Sequence, residues 1–163
     1  MFNQKIDILS SAFLQQCEKK QLQIVTAESC TGGLISAALT QHAGASNYVQ
    51  GGFVTYSNAM KQEILNVPAS FIREFGAVSE QVVIAMAEGA LKRCPQANLS
   101  VSVSGIAGPG GGSIDKPVGL VWIGVQLRSR RALARSYHFY GTRNDIQLNT
   151  VETAFNLLNF YLN

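Results

Sequence analysis

Charge is scarce in this chain. Asp, Glu, Lys and Arg make up 14% of its 163 residues, and the formal balance is only +3. A balance that mild lacks the electrostatic footprint of a nucleic-acid binder. The one basic cluster, Arg128, Arg130, Arg131 and Arg135, has none of the interleaved aromatic residues that a single-strand stacking platform requires. It reads as the solvated face of an edge strand, and no nucleic-acid partner is expected. A small positive surplus does help an anionic small substrate approach.

Cysteine and histidine are sparse too. The cysteines, Cys17, Cys30 and Cys94, are odd in number and lack the C-x-x-C spacing, which argues against a disulfide framework and a zinc cage. With His42 and His138 the only histidines and no H-E-x-x-H, no metal site is expected. Long apolar runs are missing: no stretch of ~18 such residues occurs. Nor does a basic region followed by an apolar stretch open the chain. No membrane partner is expected, and the setting implied is the reduced cytoplasm.

What is present suits a packed globule. Apolar residues reach 47%, well above the level of disordered chains. A domain of this length buries roughly 68–70% of the surface that its unfolded chain exposes, so it needs no covalent staple. No repeat, linker or low-complexity tract divides residues 1–163, which read as a single domain. Ile6, Leu9, Phe13 and Cys17 recur at helical spacing over 5–19. A strand over 22–27 then ends at polar Glu28 and Ser29, and a helix follows with Gly44 as its stop. Residues 51–57 form a second strand, followed by a short helix through Leu65. Ser79 is an N-cap for a helix that ends near Cys94-Pro95.

Residues 99–108 begin with strict alternation of Leu99, Val101 and Val103 against Ser100, Ser102 and Ser104. Serines are small enough to lie beneath a packed helix, so this strand need not face solvent. The nearly continuous apolar run 119–127 reads as a central strand, and 132–140 as its meander neighbour. Thr142 and Asp145 form a capping-box variant before a final helix with Leu148, Val151, Phe155, Leu158 and Leu162 on one stripe. The sum is an α/β fold, a three-layer α/β/α domain with a mixed sheet. Ligands of such sheets bind at strand ends, and here those ends carry the polar, glycine-rich segments.

The first is TAESCTGG, 26–33. A strand running through Ser29, Cys30, Thr31, Gly32 and Gly33 into a helix sets hydroxyl, thiol and amide groups at a helix start. That position favours an anion or a developing oxyanion, although the same residue types also open helices with no chemistry attached. Ser29 is preferred to Cys30 as nucleophile, because neither histidine has a context that would serve a thiolate. Serine needs a base. Lys61, one turn into the helix after the second strand, supplies one if burial favours its neutral form, with Tyr56 to relay a proton or orient the pair. An ordinary solvated lysine is the competing reading.

The second is SGIAGPGGGS, 104–113, whose glycine amides and Ser104 and Ser113 hydroxyls suit an anion cradle, or a mobile hairpin loop. It has neither the Walker A nor the dinucleotide spacing. Arg143, after Gly141 at the start of the last helix, can grip two phosphate oxygens at once.

Together TAESCTGG, GGFVTYSNAMK, GAVSE, SGIAGPGGG and KPVGLVW, in this order, resemble the CinA C-terminal domain family in its stand-alone, nicotinamide-nucleotide amidase form. The resemblance runs over about residues 5–162. It implies hydrolysis of the carboxamide of nicotinamide mononucleotide to nicotinate mononucleotide and ammonia, without metal or organic cofactor, by a homodimer. It assigns Ser29 as nucleophile, Lys61 as base partner and Tyr56 as supporting tyrosine, with Ser104, Gly105 and Arg143 on the substrate side. The amides of Cys30 to Gly33 are expected to hold the oxyanion. Gly110 departs from the acidic residue that relatives often carry after the loop proline. The larger N-terminal domain of full-length relatives has no counterpart here, so its pyrophosphatase activity is not carried over. A non-catalytic nucleotide-sensing module and a Cys30-dependent amidase are the rival readings.

Overall fold

The structure, a computed structural model, describes residues 2–163. In chain order it contains α1 (Gln4–Lys20), β1 (Ile24–Glu28), α2 (Leu34–Thr40), β2 (Val49–Val54), α3 (Asn58–Leu65), α4 (Ala69–Phe75) and α5 (Glu80–Arg93). Then come β3 (Leu99–Gly105), β4 (Leu120–Leu127), β5 (Leu133–His138) and α6 (Arg143–Leu162). The strands form one sheet in the order β2-β1-β3-β4-β5. β1 runs parallel to β2 and β3, whereas β4 is antiparallel to both β3 and β5. The sheet is therefore mixed, and its three parallel strands end on one edge.

Helices cover both faces. On one, Ile6 and Phe13 of α1 meet Ile35 of α2 and Phe155 and Leu158 of α6, over Leu99, Val101 and Val103. On the other, Val82, Met86 and Ala90 of α5 pack with Leu65 of α3 over Val25 and Ala27. The serine face of β3 lies under α5, as the alternation suggested. Ser100 Oγ donates to Ala87 O at 3.0 Å and Ser102 Oγ to Val83 O at 2.6 Å. These bonds satisfy hydroxyls that would be costly to bury alone, and they let the helix ride close on the sheet. Gly124 of β4 opposes Ser102, and a Cβ there would stand 2.6 Å from Ser102 Oγ and 3.1 Å from Val83 O.

Most sequence expectations stand with shifted bounds. Thr142 and Asp145 do form a reciprocal capping box at α6, and Ser79 accepts from the Val82 amide. β2 ends at Val54 because Ser57 leaves the sheet to cap α3, accepting from Met60 N. α2 stops at Thr40, and Gly44 instead opens a 3-10 turn, Ala45–Asn47, in the left-handed region. β3, not β4, is the middle strand. α4 was not legible: its seven residues carry only a short stripe of Phe71, Ile72 and Phe75, of which Phe71 and Ile72 pack on the core without being fully buried. Of the basic cluster Arg135 does lie on edge strand β5. Arg128 instead donates from Nη2 to Leu91 O and Ala97 O, each at 2.7 Å, tying the end of α5 to the sheet.

Gly124→Ala is expected to lower stability by roughly 1–3 kcal/mol through overpacking. Gly110→Ala, with nothing within 4 Å of its added Cβ, should stay within about 0.5 kcal/mol of wild type. Urea unfolding of both variants checks the contrast.

Candidate active site

The C-terminal ends of β1, β2 and β3 open onto a cleft of about 290 Å³. Ser29 enters it from the end of β1, Tyr56 and Lys61 from the β2–α3 segment, Ser104 and Gly105 from the end of β3, and Arg143 from the start of α6. The glycine loop supplies another wall through Gly108, Gly110 and Gly111. Residues spread over more than a hundred positions thus meet at the sheet edge where an open α/β fold binds ligands.

Lys61 is 2% exposed. Its Nζ lies 3.0 Å from Ser29 Oγ, 3.1 Å from Thr55 O and 3.2 Å from Tyr56 O. Among the described residues no carboxylate forms an ion pair with it. Burial pulls its pKa below the ordinary 10.5, partly offset by the neighbouring Cys30 sulfur. The three partners match the three donors of the ammonium; once a proton is lost, the two carbonyls keep the two hydrogens and the lone pair is left facing Ser29 Oγ. Serine and amine are so arranged that a proton can pass from Oγ to Nζ.

Cys30 lines the same cleft but is 5% exposed, and burial pushes its thiol up to about 12. A thiol so raised is protonated at neutral pH and a poor nucleophile. Its main chain is fixed from α6, where Gln147 Nε2 donates to Cys30 O at 2.8 Å.

Glu28 lies behind the nucleophile, fully buried. Its two oxygens accept from the Thr31 hydroxyl (2.6 Å), the amides of Gly33 (3.1 Å), Ile35 (3.0 Å) and Ser36 (2.8 Å), and more distantly the Thr26 hydroxyl (3.2 Å). The start of α2 is thus capped from within by a side chain. This corrects the expected oxyanion set. Gly33 N–H is committed to Glu28, and Gly32 N–H donates to Ser29 O at 3.0 Å. Thr31, Gly32 and Gly33 do not line the cleft. Both glycines take left-handed φ, +60° and +102°, which is what the tight turn asks of them. Among the described residues, only the Cys30 and Thr31 amides of this turn donate to no protein acceptor.

The remaining sites also differ in detail. The Tyr56 phenol does not reach the serine–lysine pair. It accepts from Arg143 Nη2 at 2.8 Å, and what meets Lys61 is the Tyr56 carbonyl. Arg143 Nη1 donates to Gly108 O at 2.7 Å, so its guanidinium spans the cleft mouth. Ser104 donates to Ala77 O at 2.8 Å. Gly105 is a packing requirement, since a Cβ there would lie 2.5 Å from Val121 Cγ2. Ser113 is outside the cleft, its hydroxyl accepting from Lys116 N. Asn58, Ala77 and Val78 line the cleft without having been singled out. A charged residue closing an otherwise apolar strand was the available signal for Glu28; the Thr55 carbonyl has no side-chain signature at all. Among the described residues no three His, Cys, Asp or Glu side chains gather as metal ligands would.

Glu28→Gln turns an oxygen that faces only donors into a donor itself. A loss of at least about 2 kcal/mol is expected from the unpaired groups that result, read by urea unfolding.

A model of the CinA C-terminal domain matches residues 6–162. The chain is similar to the nicotinamide-nucleotide amidohydrolase PncC of Enterobacter agglomerans, 52% identical over 125 residues that cover 77% of this chain and 76% of that protein. It is 51% identical over 115 residues to a CinA-like protein of Colwellia psychrerythraea; these cover 71% of this chain but 26% of the relative, so the chain spans about a quarter of that longer protein. Among solved structures, the competence/damage inducible protein CihA from Agrobacterium tumefaciens superposes with a TM-score of 0.94 at 45% identity, covering 99% of this chain and 98% of that one. The competence damage-inducible protein A (ComA) from Klebsiella pneumoniae gives 0.92 at 31% identity, covering 96% of each. From residue 6 to residue 162, the chain belongs to the CinA C-terminal domain family.

Proposed function

We propose that this protein is a nicotinamide-nucleotide amidase. It would hydrolyse the carboxamide of nicotinamide mononucleotide to nicotinate mononucleotide and ammonia, returning pyridine nucleotide for reuse. The observation that carries the reading is the buried amine of Lys61, 3.0 Å from Ser29 Oγ and, among the described residues, without a carboxylate partner. The substrate class rests on the similarity to the Enterobacter agglomerans amidohydrolase. Residues 1–163 act as a single domain, in the cytoplasm and as a homodimer, as the family resemblance implies.

Neutral Lys61 takes the Ser29 proton as Oγ bonds to the amide carbon. The oxyanion is held by the amide of Cys30, a residue that lines the cleft and whose N–H is left free by Glu28 and the turn. The C–N bond then breaks, and ammonia departs with the proton that Lys61 returns. Water attacks the acyl-enzyme and gives its proton to Lys61, and the nucleotide leaves as the acid when Oγ is reprotonated. Arg143 receives the phosphate together with amides of the glycine loop. To do so its guanidinium turns some of its donors from Gly108 O and Tyr56 OH to the ligand. Tyr56 orients the lysine through its carbonyl, and Ser104 and Gly105 shape the opposite wall.

Ammonia release from nicotinamide mononucleotide tests the reading. Ser29→Ala and Lys61→Met should each lose at least about 10³-fold in kcat, whereas Cys30→Ala keeps most of it. Full activity in Ser29→Ala sinks the mechanism, loss confined to Cys30→Ala moves the nucleophile to the thiol, and an inert wild type favours a nucleotide-binding module.

A pH profile is a second check. The reactive lysine is the neutral form, so kcat/KM should rise with pH through an ionisation below 10.5. Wild-type stability follows pH in the same direction. The lowered folded pKa means that protonating Lys61 penalises the folded state increasingly as pH falls below the unfolded value. Lys61→Met should therefore gain stability relative to wild type as pH falls from about 10.5, which unfolding curves at several pH values will show.

A further inference from the structure

The segment KPVGLVW, 116–122, plays no part in the chemistry above, yet its lysine is bound to a wall of the cleft. Lys116 Nζ donates to Val78 O at 2.8 Å and, in a still closer contact, to Phe75 O. Phe75 ends α4, so the ammonium sits on one of the carbonyls that a helix end leaves without a partner. Among the described residues no carboxylate pairs with it.

The α4–α5 connection is held by side chains at every step. Phe75 O and Val78 O accept from Lys116, Gly76 O accepts from Ser79 Oγ at 2.8 Å, and Ala77 O from Ser104 Oγ at 2.8 Å. Ala77 and Val78 line the cleft together with Gly108, Gly110 and Gly111 of the glycine loop. That loop closes at its stem, where Ile106 N–H donates to Leu120 O and Gly119 N–H to Ile106 O. A turn at its far end is made by Ser113 N–H to Lys116 O, at 2.8 Å, and Lys116 N–H to Ser113 Oγ, at 3.1 Å. Between stem and turn, residues 109–112 are exposed, whereas Ala107 and Gly108 are buried. The loop has two other side-chain ties to the body: His138 Nε2 meets Val118 O at 3.0 Å near the stem, and Arg143 Nη1 donates to Gly108 O, Arg143 being the group that turns to the substrate phosphate.

We propose that Lys116 is a positioning residue that fixes the glycine loop against the Ala77–Val78 wall, so that the nucleotide-binding side of the cleft is preformed. This rests on the amidase reading for its substrate but not for its structure. When Arg143 engages the ligand, the side-chain tethers that remain are His138 at the stem and the Lys116 ammonium, and it is Lys116 that reaches the Ala77–Val78 wall. Ser29 and Lys61 stand on β1 and α3, across the cleft, and do not touch it.

The test compares Lys116→Met and Lys116→Arg with wild type, by steady-state kinetics on nicotinamide mononucleotide and by hydrogen–deuterium exchange of the ligand-free proteins. In Lys116→Met, KM should rise about tenfold or more, the scale of losing hydrogen bonds from a charged donor, with kcat held within about threefold. Exchange should quicken over 106–118 and 75–79 alone. Lys116→Arg, which keeps charge and donors, should recover most of the KM. Unchanged loop exchange overturns the proposal, as does a kcat loss at constant KM. Uniformly faster exchange across the sheet also overturns it, because the lysine would then serve stability alone. A wild type inert on the nucleotide refutes the amidase reading and leaves the exchange comparison to decide the tether.

Discussion

Five donors converge on the Glu28 carboxylate, and the turn that carries Ser29 takes its shape from them. A carboxylate with no access to water is tolerable only when both oxygens are saturated by hydrogen bonds. Here the saturation comes from the first amides of α2, which a helix otherwise leaves unpaired. One interaction therefore settles two local problems, the buried charge and the open helix end. It also decides which amides of the turn stay unpaired. Gly33 serves the fold, and the amides of Cys30, which lines the cleft, and of buried Thr31 are left.

The lysine on the other side of the nucleophile is handled in the reverse way. Glu28 is surrounded by hydrogen-bond donors, whereas Lys61 meets two neutral carbonyls and a hydroxyl and, among the described residues, no carboxylate. Desolvation without compensation lowers its proton affinity. Two ionisable groups on either side of one serine are thus pushed toward different tasks by their surroundings, one to hold backbone and the other to exchange a proton. Thr55 and Tyr56 contribute through main-chain oxygens, so these positions constrain the lysine by where the strand ends more than by their side chains.

The layers were legible because burial leaves a period. Val151, Phe155, Leu158 and Leu162 mark one face of α6, and the Ser100–Ser102 alternation foretold a face small enough to sit under α5. In the short helix α4 the face is a single turn of Phe71, Ile72 and Phe75, too brief to establish a period. Ser29, Lys61 and Arg143 were found by residue type at strand and helix ends, and all three meet in the cleft. What the residues could not reveal was connectivity. The Tyr56 phenol goes to Arg143, and the Gly32 and Gly33 amides are already spent; both depend on side-chain and loop directions that only the folded chain defines.

Ser29 and Lys61 both lie within the unit β1–α2–β2–α3, and they touch across 32 positions of sequence. Most of the other cleft residues come later, from the end of β3, the glycine loop and the start of α6. On the amidase reading, the fold keeps bond breaking and most of ligand selection on separate stretches of polypeptide, joined along the sheet edge. A lineage could diversify what enters the cleft by drift in the second stretch while the first stayed still. Longer proteins that carry this same region can inherit the reactive unit whole and differ in what they present to it.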